Sequence, residues 1–123
     1  MPRPVYFEIP AENPERLIAF YESIFGWTFK KWEHAPMAYW TITTGPESEP
    51  GINGGLMQRQ DPQQPWVNTI TVSNLEETIA EATAKGAQIA LPKMPIPGVG
   101  WLAYLMDPER NVIGIMQPDP NAK

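Results

Sequence analysis

The chain opens with a short strand pattern in which apolar and polar positions alternate. Side chains of a strand point to opposite faces in turn, and one face of residues 5–9 is purely apolar: Val5, Phe7 and Ile9. Tyr6 and Glu8 fall together on the other face. The pattern therefore predicts a half-buried strand, and it raises the question of what the Tyr6/Glu8 face meets.

An amphipathic helix is predicted directly after this strand. Asn13 is a favourable N-cap, Pro14 suits the first helical position, and Gly26 suits the residue after the helix. Apolar residues recur at helical spacing through the segment PERLIAFYESIF. The stripe predicted to be buried consists of Leu17, Phe20, Tyr21, Ile24 and Phe25.

The second half of the chain repeats the same order of elements. A strand pattern, WVNTITV, leads to a helix pattern that Asn74 caps, with Leu75, Ile79 and Ala82 as its buried stripe. Ile9 stands four residues before Asn13, and Ile70 stands four residues before Asn74. This equal spacing indicates an internal duplication.

Three further strands are predicted after each helix, which makes the order βαβββ twice. Their ranges are 27–33, 37–43 and 52–58 in the first half, and 87–91, 100–106 and 111–117 in the second half. The Pro/Gly-rich segment 92–100 is predicted to be a loop. We therefore expect one α+β domain over residues 1–123, with module one at about 1–58, a linker at 59–65 and module two at about 66–118.

Composition narrows the possible functions. With 42% hydrophobic and 19% charged residues the chain is typical of globular proteins, and its net charge of −5 disfavours nucleic acids and anionic membranes as partners. The absence of cysteine excludes disulfides and Cys–zinc sites, and we expect a cytoplasmic location. The single histidine, His34, is predicted to be a solvated turn residue. A Ser-His-Asp triad or a multi-histidine metal site is therefore not expected.

The duplicated unit resembles the vicinal oxygen chelate superfamily, which includes glyoxalase I, bleomycin-resistance proteins, methylmalonyl-CoA epimerase and extradiol dioxygenases. The resemblance covers the whole chain and is carried by FEIPAENPERLIAFYESIFGW, by PIPGVGWLAYLMDPE and by DPERNVIGIMQ. It implies that each βαβββ module curls into half of a cup-shaped mixed sheet. The two modules would then enclose a cavity.

The resemblance also implies where a divalent metal would bind, and this sequence departs from the pattern there. Three of the four ligand positions hold Tyr6, Val67 and Gly114, and the fourth falls at or near residues 55–57. Val and Gly offer no side-chain ligand, and a neutral Tyr hydroxyl is a poor one. We therefore predict no bound metal and no cofactor.

The candidate site residues lie on the inward face that the resemblance implies. Glu8 is either a polar anchor or general base in an apolar cup, or a carboxylate satisfied by water or by Thr69, its counterpart in the second module. The other predicted ligand-binding residues are Tyr6, Trp40, Met57, Val67, Thr69, Trp101, Tyr104, Gly114 and Met116. For the aromatic residues among them, the alternative is a role in the core or in a dimer interface.

The function expected from these observations is metal-independent binding or sequestration of a small amphipathic or aromatic molecule, by a protein that is expected to be a homodimer. An enzyme is the first alternative, resembling lactoylglutathione lyase or an isomerase or epimerase, with Glu8 as the base and a metal from an unexpected ligand set. A further alternative is an interaction module whose cavity is filled by its own side chains.

Overall fold

The structure, a computed structural model, describes residues 2–33 and 37–123. His34, which was expected in a solvated turn, lies outside the described residues. The chain divides into two compact units. We call Tyr6–Trp66 the N-terminal unit, and we call Met1–Val5 together with Val67–Lys123 the C-terminal unit.

The elements follow the predicted order βαβββ twice. The first set consists of β1 (Pro4–Ala11), α1 (Pro14–Phe25), β2 (Thr28–Lys31), β3 (Tyr39–Thr43) and β4 (Asn53–Gln58). The second set consists of β5 (Val67–Thr71), α2 (Leu75–Ala84), β6 (Gln88–Ile96), β7 (Gly100–Met106) and β8 (Val112–Pro118).

Each unit contains a mixed four-stranded sheet. In the N-terminal unit β1 runs parallel to β4, and β4 and β2 flank β3 in antiparallel pairs. In the C-terminal unit β5 runs parallel to β8, and β8 and β6 flank β7 in antiparallel pairs. The predicted α+β class with mixed sheets is confirmed.

The helix boundaries follow from the predicted caps. The Asn13 side chain accepts a hydrogen bond from the backbone N–H of Arg16 at 3.1 Å, and Gly26 ends α1 with a φ of 71°. Asn74 accepts from the backbone N–H of Glu77 at 3.0 Å and caps α2 in the same way. Each cap satisfies a backbone donor that the helix itself leaves unpaired.

Each helix packs against a separate hydrophobic core. Buried residues of β1, β3 and β4 form the core under α1: Phe7, Ile9, Ala11, Ile42 and Leu56. Buried residues at α2 and on β7 and β8, together with Val72, form the second core: Val72, Leu75, Ala103, Leu105 and Ile115. The predicted α2 stripe is confirmed, because Ile79 and Ala82 pack against this core with Leu75.

The stripe predicted for α1 is partly wrong. Leu17 and Tyr21 pack against the core, but Phe20, Ile24 and Phe25 are all more than half exposed. A helix that lies on one sheet face buries a limited arc, and here the apolar residues extend beyond that arc. α1 therefore keeps an apolar surface that the described residues do not cover.

The loop predicted over residues 92–100 is also corrected. β6 continues to Ile96, where Met94 pairs with Leu102 and Pro95 pairs with Trp101 across to β7. Prolines are tolerated on β6 because it lies at the edge of its unit's sheet, where a missing N–H leaves no neighbouring strand unpaired. Neither α1 nor α2, the helices of the described part of the chain, has the length and apolarity needed to cross a membrane.

Candidate functional site

The strand register places Tyr6 and Glu8 on the side of the sheet that faces away from the core of the N-terminal unit. Glu8 pairs with Gly55 of β4, and Gly55 pairs with Thr41 of β3, whereas Ile9 pairs with Leu56 in the core. Residues in register share a face of the sheet. The residues of β1, β3 and β4 that share the Glu8 face therefore include Tyr6, Pro10, Tyr39, Thr41, Asn53, Gly55 and Met57.

Tyr39, which the sequence analysis did not single out, completes the polar group on this face. Its hydroxyl donates a hydrogen bond to Oε2 of Glu8 at 3.0 Å. The hydroxyl oxygens of Tyr39 and Tyr6 are hydrogen-bonded at 2.7 Å. We call these three residues the Tyr6–Tyr39–Glu8 array. It connects two phenols to one carboxylate, and each of the three side chains is only partly exposed.

The array keeps its phenols protonated. Burial, more than any other cause, raises the pKa of Tyr39, and the negative charge of Glu8 raises it further. Burial also raises the pKa of Tyr6, and the negative charge of Glu8 raises it further. Both hydroxyl groups therefore remain neutral hydrogen-bonding groups in the physiological pH range.

Gly55 makes room for this array. A Cβ atom at position 55 would overlap the hydroxyl group and ring of Tyr39, and it would lie 2.7 Å from the hydroxyl oxygen of Tyr6. The glycine is thus required by close packing rather than by a turn, since Tyr39 lies directly over its Cα atom.

Trp40 does not lie with these residues, contrary to the prediction that it lines the same site. It pairs with Leu56 and packs against the core that contains Ile42. Tyr39 and Trp40 are neighbours along β3, so only one of them can face Glu8. Met57 does share the Glu8 face, and its sulfur accepts a hydrogen bond from Nε2 of Gln64 at 3.7 Å.

The C-terminal unit brings a second set of predicted residues together. Thr69 of β5 pairs with Gly114 of β8, and Gly114 pairs with Tyr104 of β7. Val67 lies two residues before Thr69, and Met116 lies two residues after Gly114, so both share this face. Thr69 and Val67 are buried, with 3% and 7% of their surfaces exposed.

Gly114 is also covered by a tyrosine from the neighbouring strand. A Cβ atom at position 114 would lie 2.8 Å from Oγ1 of Thr69 and 3.4 Å from Cε1 of Tyr104. The first distance is shorter than side chains tolerate, so a larger residue at this position would have to displace Thr69. Both units therefore place a tyrosine over a glycine of a central strand.

Trp101 was also predicted to bind the ligand, but it does not share a face of β7 with Tyr104. It packs against the core under α2, and its indole Nε1 donates to Oδ2 of Asp119 at 3.0 Å. The ammonium of Lys93 lies 4.8 Å from the centre of the Trp101 ring. Trp101 thus has a structural role on the helix side of its sheet, whereas Tyr104 lies on the opposite face.

The register also identifies the fourth ligand position that the resemblance left open. Glu8 pairs with Gly55 in the first set of elements as Thr69 pairs with Gly114 in the second set. Tyr6 and Val67 each stand two residues earlier on their strands. Gly55 is therefore the counterpart of Gly114, and the residue at the fourth position is a glycine.

These four positions do not fit a divalent metal ion. They hold one phenol, one valine and two glycines, and the glycines lie under tyrosine rings. Zn²⁺ and related ions need several nitrogen, sulfur or carboxylate ligands, of which this set offers none. Within residues 2–33 and 37–123, no three His, Asp or Glu side chains converge in a way that could hold a metal ion.

Comparison with known proteins agrees with this fold. The model of the Glyoxalase/Bleomycin resistance protein/Dioxygenase superfamily matches residues 3–115. A curated relative from Mycobacterium bovis, named "Putative glyoxylase CFP32", is 29% identical over 118 residues. The match covers 94% of this chain and 44% of the relative, so the chain spans less than half the length of that protein.

Solved structures with the same fold cover nearly all of the chain. Methylmalonyl-CoA epimerase from Mycobacterium tuberculosis superposes with a TM-score of 0.64 at 11% identity, covering 97% of this chain and 88% of the epimerase. A glyoxalase/bleomycin resistance protein/dioxygenase superfamily member from Vibrio splendidus 12B01 superposes with a TM-score of 0.65 at 15% identity, covering 95% and 99%. At these identities the likeness establishes the fold.

Proposed function

Because the chain belongs to the Glyoxalase/Bleomycin resistance protein/Dioxygenase superfamily, we propose that it uses the Tyr6/Glu8 face of the N-terminal unit to bind a small amphipathic or aromatic molecule without a metal. The observation that carries this proposal is the Tyr6–Tyr39–Glu8 array. It occupies the place where the resemblance implies metal ligands, with Tyr39 lying over Gly55. In this protein, hydrogen bonds would take the role that metal coordination has in related enzymes.

The residues on this face suit a ligand with one polar end and one apolar body. The array supplies polar contacts that are only partly exposed, and Met57 supplies an adaptable apolar contact on the same face. Ligand sites in proteins commonly combine a few well-placed polar groups with apolar and aromatic walls. The ligand would be held reversibly, in the cytoplasm, with no covalent step.

Binding without a metal is tested by titration of the purified protein with and without a chelator. The protein is purified without added metal, its metal content is measured, and its affinity for phenethyl alcohol is determined by calorimetry before and after EDTA treatment. We expect metal well below one ion per chain and an affinity that EDTA leaves unchanged. Met57→Ala should weaken binding by about threefold to tenfold, since it removes buried contact area.

The same measurements can refute the proposal in favour of an enzyme. Stoichiometric Zn, Ni, Mn or Fe that is lost from a Glu8→Gln variant would show that Glu8 is a metal ligand. In that case the metal-free interpretation is wrong. Absence of any detectable binding to a panel of aromatic molecules would instead favour an interaction module whose site is filled by its own tyrosines.

A further inference from the structure

The hydrogen bonds of the Tyr6–Tyr39–Glu8 array run in one direction. A tyrosine hydroxyl has one hydrogen to donate, and Tyr39 donates its hydrogen to Oε2 of Glu8. The 2.7 Å bond between the two hydroxyl oxygens must then use the hydrogen of Tyr6. Both hydroxyl hydrogens are thus used inside the array, and the groups it presents to a ligand are oxygen lone pairs and a carboxylate.

The surroundings of the array also favour positive charge. The rings of Trp32 and Tyr39 meet edge to face, with centroids 5.9 Å apart and planes at 73°, and Trp32 is 37% exposed. Aromatic faces beside a carboxylate attract ammonium groups. The net charge of −5 adds a long-range attraction for cations. A ligand carboxylate would meet hydrogen-bond acceptors and a like charge.

We propose that the Tyr6–Tyr39–Glu8 array binds the amine end of a small amphipathic molecule, with the ammonium group donating hydrogen bonds to Tyr6 and Glu8. This inference rests on the proposed function, because it names the chemical class of the molecule that the site binds. Tyr39 acts as a positioning residue. It holds the carboxylate of Glu8 and sets the direction in which Tyr6 donates.

Three probes that share a phenethyl group test this proposal: phenethylamine, phenethyl alcohol and hydrocinnamate, which carry an ammonium, a hydroxyl and a carboxylate. Their affinities for the whole chain are compared by calorimetry at low salt and neutral pH. We expect phenethylamine to bind at least tenfold more tightly than hydrocinnamate, with the alcohol between them. If the three bind equally, or hydrocinnamate binds best, the amine preference is refuted while small-molecule binding stands.

Failure of the proposed function gives a different result. If none of the three probes binds at millimolar concentration, then the Tyr6/Glu8 face is not a small-molecule site and both proposals are refuted. The distinction requires only the wild-type protein, so it does not depend on how any variant folds.

Three variants then test which residues cause the preference for the amine. Glu8→Gln removes the negative charge and should reduce the ratio of amine to alcohol affinity by about tenfold, a typical value for a lost charged hydrogen bond. Glu15→Gln makes the same change of net charge in the first turn of α1, and we expect it to leave the ratio within twofold. Tyr39→Phe frees the hydrogen of Tyr6 and should improve hydrocinnamate binding relative to wild type. Equal ratios in Glu8→Gln and wild type would refute the assignment of the amine to this array.

A separate surface of the N-terminal unit carries a second inference. Aromatic rings form a continuous cluster that extends from the core to the surface, with successive centroids between 5.1 and 6.3 Å apart: Phe7, Phe20, Tyr21, Phe25, Trp27 and Trp66. Its outer members are Phe20, Phe25 and Trp66, which are 53%, 57% and 52% exposed, and Ile24 beside them is 58% exposed. We call these four residues the α1 patch.

The size of the α1 patch fits the centre of a dimer interface. An aromatic side chain has about 150–250 Å² of surface, so the three half-exposed aromatic side chains present roughly 300 Å² of apolar surface, to which Ile24 adds. A standard interface buries about 800 Å² per partner, and about 65% of a homodimer interface is apolar. The patch therefore supplies most of the apolar area that one partner of a small homodimer needs.

We propose that a second copy of this chain covers the α1 patch, in a two-fold dimer in which the same patch is used on both partners. The test is sedimentation over a range of concentrations. We expect a dimer for the wild type and at least a tenfold higher dimer dissociation constant for Ile24→Asp, with Phe20→Asp as a second variant. Ile89→Asp is the matched control, because Ile89 is 52% exposed but lies on β6.

Two results would refute this interface. The first is a wild-type protein that stays monomeric at all concentrations. The second is a dimer whose dissociation constant is unchanged in both Ile24→Asp and Phe20→Asp. Circular dichroism of each variant shows that the fold is kept, so that a change in sedimentation reports association.

Discussion

Replacing Gly55 by alanine is expected to lower the free energy of unfolding by about 1–3 kcal/mol. The added Cβ atom would overlap the hydroxyl group and ring of Tyr39 and would lie 2.7 Å from the Tyr6 hydroxyl. Overpacking of this kind costs about 1–3 kcal/mol. If Tyr39 moves away to relieve it, its hydrogen bonds to Glu8 and Tyr6 are lost, at about 0.5–1.5 kcal/mol each.

This effect can be measured by thermal and denaturant unfolding. Unfolding entropy is about 2.1 cal/mol/K per residue, so 1 kcal/mol shifts the melting temperature of a 123-residue chain by about 4 °C. Gly55→Ala should therefore melt roughly 4–12 °C below wild type. Gly45→Ala is the matched control, because a Cβ atom there meets nothing within 4 Å. It should be neutral or stabilising by about 0.4–1 kcal/mol.

A double-mutant cycle separates the overlap with Tyr39 from other costs. In a Tyr39→Ala background both the hydroxyl group and the ring carbon that overlap the new Cβ atom are absent, so Gly55→Ala should cost at least about 1 kcal/mol less there. Equal costs in both backgrounds would show that the strain lies elsewhere. A Gly55→Ala variant as stable as Gly45→Ala would refute the close packing itself.

Three further predictions concern a turn, the phenols and Trp101. Arg110 has a φ of 71°, so Arg110→Gly should raise the free energy of unfolding by about 0.5–1 kcal/mol in denaturant unfolding, whereas Arg110→Ala should give no gain. The pKa values of Tyr6 and Tyr39 are raised in the folded protein, whereas a tyrosine in the unfolded chain has a pKa of about 10. The unfolded chain therefore ionises first, so the stability that these groups contribute is complete below about pH 10 and is lost as the pH rises further. Tyr39→Phe should therefore lose less stability than wild type between neutral pH and alkaline pH, and an equal loss would contradict the assignment. Trp101→Phe removes the hydrogen bond to Asp119 and should lower the melting temperature in thermal unfolding, while the affinities for the three phenethyl probes stay unchanged.

The elements of this fold were predictable because their signals are local. A cap residue and a helical period act over a few neighbouring residues, which is why Asn13 and Asn74 mark the starts of α1 and α2 correctly. The face of β1 was predictable for the same reason. Phe7 and Ile9 alternate with Tyr6 and Glu8, so the strand can bury its apolar side chains only by turning that one face to the core.

The composition of the candidate site was harder to predict, because it depends on pairing between distant strands. Trp40 and Tyr39 are both large and aromatic, and only the pairing of Trp40 with Leu56 shows which of them faces the core. Trp101 was a different kind of error. It stands three residues before Tyr104 on one strand, so the two could not share a face, and strict alternation along β7 already excluded one of them.

The α1 stripe illustrates a limit of helical periodicity. Spacing identifies which side chains share a side of the helix, but the width of the buried arc depends on the sheet below it. Leu17 and Tyr21 reach the core, whereas Phe20, Ile24 and Phe25 continue the apolar pattern beyond it. The excess of apolar residues is the signal that points to a further partner for this helix.

The duplication explains why only one of the two units is expected to determine which ligand binds. Both units place a tyrosine over a glycine, with Tyr39 over Gly55 and Tyr104 over Gly114. The residue that pairs with the glycine differs, being Glu8 in the first set of elements and Thr69 in the second. A carboxylate interacts with a ligand charge far more strongly than a hydroxyl does. Exchange of the charge between the two positions, in a Glu8→Thr, Thr69→Glu variant, should therefore abolish the preference for phenethylamine that calorimetry measures with the three phenethyl probes.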